Sequence, residues 1–108
     1  MKRVKEVQKE LAESDRMCPP GGDWEFLSES GKLNMIIKKE WLNWFLINTP
    51  SKEKIMDMIK TDQTLLDYGD MRITPERFER LPESKQKEFL MTGNQLRTKI
   101  NWLRWILE

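Results

Sequence analysis

The stretch 34–47, NMIIKKEWLNWFLI, constrains the fold more than any other part of the chain. Placed at about 100° per residue, Trp44, Ile37, Trp41, Phe45, Leu42, Met35 and Leu46 cover roughly half the circumference of a helix, and Ile36 and Ile47 fall on the opposite side. A helix apolar over so much of its surface is buried on several sides. It is therefore expected to be the central element against which the rest of the chain packs.

The remaining segments carry the same period. Over 2–14, Val4, Val7 and Leu11 recur at three- and four-residue spacing with charges between them. That stripe is narrow, so the helix must lean on a neighbour, and residues 1–16 are also readable as a protruding helix that pairs with a partner. Two prolines and two glycines in DRMCPPGGDW stop it, Trp24, Phe26 and Leu27 are expected to tuck the connection onto the core, and SESGK reads as a second break. Thr49-Pro50 reads as an N-cap followed by proline at the first helical position. The helix it opens covers 50–60 and extends toward 67, with Ile55, Met58, Ile59 and Leu66 on its stripe and Gly69 as its stop. After an irregular DMRI connection, in which Met71 and Ile73 suit a short extended piece, Thr74-Pro75-Glu76 and Pro82-Glu83 open a short helix at 75–80 and a long one from 83 to the end. Phe89, Leu96, Ile100, Leu103 and Leu107 form the stripe of that last helix. Gly93 interrupts it, which marks a close helix crossing, a kink or a break. No segment alternates as a strand would. The expected fold is all-α: a single domain over 1–108, built as a small bundle of about four to five helices around a central helix 34–47, with a long C-terminal helix.

One pattern occurs twice. WLNWFLI at 41–47 and WLRWILE at 102–108 hold four of the five tryptophans and lie 61 residues apart (41 to 102), with Lys38 and Lys99 in matching positions. Identity fades outside the motif, so no domain repeat is inferred. Periodicity assigns the two copies different work. Trp41 and Trp44 belong to the buried stripe, and Trp41→Ala is expected to cost about 3–5 kcal/mol if the ring is fully buried. In the last helix Trp102 shares a stripe with Leu103 and Ile106, whereas Trp105 lies about 160° from Leu103. Trp105 is then expected either between two neighbours or exposed, and exposed Trp beside Arg is what binding hot spots favour. Trp105 and Arg104 are the candidate anchor of a protein interface, with Trp102, Arg97 and Ile36 as its other members.

Chemistry narrows the function classes. The chain has no histidine, which removes the commonest general base, most zinc sites and the His-activated nucleophiles. It has no phosphate-binding glycine loop and no calcium loop. The lone Cys18, in MCPPGG, reads as an inert structural thiol in a turn, and a single cysteine excludes a disulfide within the chain. Glu10/Glu13 and Glu76/Glu79 have the spacing that metal-dependent helical hydrolases use, with Asp57 and Glu53 or Asp67 and Asp70 as a facing pair, but each has a basic neighbour and reads as a solvated face. No catalytic residue, metal ligand or cofactor is expected.

Nineteen basic and eighteen acidic residues leave a net charge of +1, so no global field attracts nucleic acid. Lys2, Arg3, Lys5 and Lys9, with Arg72, Arg77 and Arg80, are the residues a nucleic-acid-binding alternative would use. The charged start lacks the apolar core of a signal peptide, no run reaches the length of a membrane span, and the amphipathic segment 94–107 carries too little charge for a membrane-surface helix. The apolar set is rich in long side chains, with twelve Leu, eight Ile, seven Met and five Trp but one Ala. Such a Lys-, Ile-, Met- and Asn-rich composition is what AT-rich coding tends to produce. The functional expectation is a non-enzymatic helical protein of the cytoplasm that binds another protein or a second copy of itself, as a phage- or virus-encoded modulator of a host factor would.

Overall fold

The computed structural model describes residues 1–68 and 73–108. Gly69, Asp70, Met71 and Arg72, among them the expected helix stop and one arginine of the nucleic-acid alternative, lie outside the described residues. The described residues form five helices and no strand: α1 (Val4–Met17), α2 (Glu29–Asn48), α3 (Lys52–Tyr68), α4 (Pro75–Glu79) and α5 (Glu83–Leu107). This is a small all-α bundle with a long C-terminal helix.

The helix ends follow local chemistry that apolar spacing does not report. α2 starts five residues earlier than its stripe implies, and the expected break at SESGK is its first turn. Ser28 caps it, its Oγ accepting from the Gly31 N–H at 3.1 Å. A Cβ at Gly31 would stand 3.4 Å from both Leu27 Cβ and the capping Oγ, so the glycine leaves room for the Leu27 side chain over the cap. At the other end Thr49 closes α2 rather than opening α3. Its N–H bonds to Phe45 O, and its backbone is left-handed, at φ 41° and ψ 56°. A β-branched residue in that region is strained by about 1–3 kcal/mol. The cap of α3 is Ser51, whose Oγ accepts from the Lys54 N–H at 3.2 Å.

Gly93 marks no break and no close helix crossing. α5 runs through it unbroken, and a Cβ there would meet only the guanidinium of Arg97, at 3.5 Å. The first loop is tucked in by Trp24 and Leu27 but not by Phe26, which is exposed. Lys39 of α2 holds that loop down: its ammonium pairs with Asp15 at 3.1 Å, donates to the Cys18 carbonyl and stands 4.8 Å from the centre of the Trp24 ring.

Packing runs in the order α1, α2, α5, α3, so α2 shares the centre with α5 rather than holding it alone. Helices α1 and α2 form one hairpin, α3 and α5 a second, and the two meet along α2 and α5. The core collects Val7 of α1, Leu42 and Phe45 of α2, Ile55 of α3, and Leu103 and Ile106 of α5. At this end the first and last turns are tied together, the Lys2 N–H donating to Ile106 O at 2.6 Å. Helix α4 sits on the other end of α5 through Phe78 against Phe89, with ring centres 5.9 Å apart, and through the Gln86 amide, which donates to Phe78 O. The bundle measures 47 × 36 × 18 Å, with a radius of gyration of 15.7 Å. A compact chain of this length would have a radius of about 13 Å. The helices are thus spread in a slab with two broad faces.

Candidate functional site

The two tryptophan motifs pack alike, which corrects the separate roles that periodicity assigned them. Trp41 and Trp44 meet edge to face at 5.3 Å and 64°, and Trp102 and Trp105 at 5.5 Å and 67°. Rings three residues apart on a helix are neighbours, so Trp105 turns onto Trp102 and not away from it. All four rings are half-buried against the core.

Lysines cover the outer faces of three of them, Trp41, Trp102 and Trp105. Lys38 of α2 stands 4.3 Å from the centre of the Trp102 ring on α5, and Lys99 of α5 stands 4.1 Å from the Trp41 ring on α2. The matching lysines of the two motifs thus reach across to each other's tryptophan. Each also pairs with a carboxylate on the outer helix of the opposite sense: Lys38 with Glu10 of α1 at 2.7 Å, and Lys99 with Asp62 of α3 at 2.8 Å. Lys2 covers the Trp105 ring at 5.1 Å. Cation–π contacts of this kind stabilise by about 0.5–2 kcal/mol each, and they let a large ring stay half-open to solvent without presenting a bare apolar face.

The open apolar surface lies elsewhere. A groove of ≈ 620 Å³ runs between α2 and α5 to the edge of α3. Leu33, Ile36, Trp41, Leu65 and Leu96 line it, with Lys99 at its side. A second depression of ≈ 720 Å³ shares Leu33 and Ile36 with the first and continues over Leu90 and Met91 of α5, where Lys32 and Lys87 flank it. Ile36 also borders a third depression, beside Trp24 and Leu11. Ile36, Leu65, Leu90 and Met91 are each exposed by about half, at 49%, 51%, 54% and 47%. Single exposed apolar side chains are ordinary, but four around two adjoining hollows are what an interaction surface looks like.

The five residues expected to form one interface do not form a single patch. Ile36 sits where the three depressions meet. Trp105 lies under Lys2 and Trp102 under Lys38. Arg104 faces α3, its Nη2 donating to Gln63 Oε1 at 3.4 Å, and Arg97 lies along its own helix over Gly93. Of the nucleic-acid alternative, Arg3, Lys5 and Lys9 are exposed at or on α1, and Arg77 and Arg80 are exposed on or beside α4. These groups belong to different elements, one set against α2 and the other against α5. Leu65, Leu90 and Met91 are functional candidates that the sequence reading missed. Leu90 and Met91 were visible as large apolar residues off the α5 stripe, but nothing in the periodicity placed Leu65 beside them.

Among the described residues no three Cys, Asp or Glu side chains gather into a metal-binding group, and Glu10, from one of the carboxylate pairs, is taken up by Lys38. Cys18 is fully buried. No helix among the described residues is long and apolar enough to cross a membrane. The fold defines the class of protein, a small all-α bundle. Beyond that class, no family model matches the chain, and neither the curated proteins nor the solved structures give a significant match.

Proposed function

We propose that the protein is a non-enzymatic helical binding module that takes an amphipathic helix of another protein into the groove between α2 and α5. The observation that carries this reading is the pair of adjoining hollows that share Leu33 and Ile36, one reaching Leu65 and the other Leu90 and Met91, with Ile36, Leu65, Leu90 and Met91 all half-open to solvent. Grooves of apolar floor and charged rim receive helices through anchors spaced three and four residues apart. Lys32 and Lys87 stand along the rim together with Glu29 and Glu40, which favours a ligand helix with polar residues of both signs flanking its apolar stripe. A cytoplasmic target is in keeping with this chemistry, as is a modulator that acts by covering a surface of its target, the role a phage- or virus-encoded protein would fill.

Ile36→Glu together with Leu90→Glu tests it. Both side chains are half-exposed, so the double variant is expected to keep the helical circular dichroism and melting temperature of the parent. Quantitative affinity capture with parent and variant as baits should then lose one partner selectively with the variant. Identical captures from a folded variant would overturn the groove as the binding surface.

A further inference from the structure

The two hairpins are joined only by Thr49, Pro50 and Ser51. The interface between them is reciprocal: Lys38 reaches Trp102, Lys99 reaches Trp41, and the Thr98 hydroxyl of α5 donates to Asn34 Oδ1 of α2 at 3.0 Å. Each hairpin presents half of one core, Leu42 and Phe45 from the first and Leu103 and Ile106 from the second. None of these contacts depends on the two hairpins belonging to the same chain. Helices α2 and α3, although consecutive, are not a principal packing pair, since α3 packs on α5. What folds one hairpin back onto the other within a chain is the turn at Thr49, and that turn is the strained one. Thr49 is the one residue other than glycine with positive φ among the described residues, it is β-branched, and it precedes a proline. The residue before proline prefers extended backbone. Relaxing Thr49 to that conformation swings α3 away from the end of α2 and breaks the contact between the hairpins of one chain. A second chain in the same state restores it twice.

We propose that the protein forms an exchanged dimer, in which the α1–α2 hairpin of one copy docks on the α3–α5 hairpin of a second copy and Thr49–Pro50 is the hinge. All core contacts are kept, so the balance between closed monomer and exchanged dimer is set by the hinge and by concentration. Short, strained hinges tilt that balance toward exchange. The hinge is separate from the groove of the proposed function, and the dimer stands or falls independently of it.

The test uses the full chain, refolded from denaturant at high concentration and separated by size-exclusion chromatography with light scattering. The parent is expected to give monomer and dimer peaks that interconvert slowly, because exchange requires the core to open. Thr49→Gly removes the Cβ strain and should lower the dimerisation constant by about tenfold or more, since two hinges are relieved per dimer. Absence of a dimer in the parent, or an unchanged constant in Thr49→Gly, would overturn the proposal. A triple variant, Cys18→Ser with Asn34→Cys and Thr98→Cys, reports the connectivity after oxidation. On a non-reducing gel the dimer peak should run as a covalent dimer and the monomer peak as a covalent monomer. A dimer peak without an interchain bond would overturn the exchange. Ile36→Glu should leave the dimer intact, and a dimer abolished by Ile36→Glu but kept by Thr49→Gly would be a side-by-side contact through the groove, which also overturns it.

Discussion

At the residue scale the matched lysines differ in what lies beneath them. The Asp62 side chain is 8% exposed and that of Glu10 28%, so the two ion pairs are alike in length but not in solvent. Removing a cation from a buried pair strands the remaining charge, at a cost of several kcal/mol, whereas a half-open pair contributes about 1 kcal/mol or less. Lys99→Met is therefore expected to destabilise by about 3 kcal/mol and Lys38→Met by about 1 kcal/mol, as read from urea midpoints. Adding Asp62→Asn to Lys99→Met should recover most of the loss, and a double variant no better than the single would remove charge burial as the cause. The tryptophans themselves should behave as equivalents. Each ring is half-buried, so Trp41→Ala and Trp102→Ala should each cost about 2–3 kcal/mol, below the range for a fully buried ring. Clearly unequal melting shifts would restore the division of labour that periodicity implied.

At the scale of elements, the sequence revealed the helices but not all of their ends. The stripes in 34–47 and along α5 identified both central helices because burial imposes the period of 3.6 on both. The start of α2 was missed because Ser28 and Gly31 act through a hydroxyl-to-amide bond, which leaves no apolar signature. Thr49 reads as a cap of the wrong helix because Thr-Pro carries the pattern of an N-cap followed by proline at the first helical position, whereas a left-handed close is expected of glycine. Gly93 suggests a break or a close crossing, and α5 shows neither. With helical backbone and only a flexible arginine nearby, Gly93→Ala should stabilise the protein by about 1 kcal/mol, read as a higher thermal midpoint. A destabilising alanine would mean that α5 needs the extra freedom there.

At the scale of the whole molecule, the sequence was legible for class and nearly silent on shape. One broad stripe per helix is compatible with a globular bundle or a slab, and the choice rests on which helix pairs share residues in the core. The reciprocal lysines settle it by joining α2 to α5 and each of these to one outer helix. The slab in turn creates the groove, because a thin layer of helices cannot cover Ile36, Leu65, Leu90 and Met91. Three of those four were therefore invisible as a site until the helices were placed side by side.

The bond from Lys2 N–H to Ile106 O bears on the order in which the chain can be threaded. It brings the first and last turns to one corner of the slab, so a short glycine-serine bridge can join them and the chain can be opened at Thr49 instead. Such a circular permutant begins with α3 and ends with α2, makes every core contact of the parent, and contains no left-handed threonine. It is expected to reach the parent's circular dichroism spectrum and at least its thermal midpoint. The architecture is then indifferent to which hairpin leaves the ribosome first, and gene order and fold are separable in this protein.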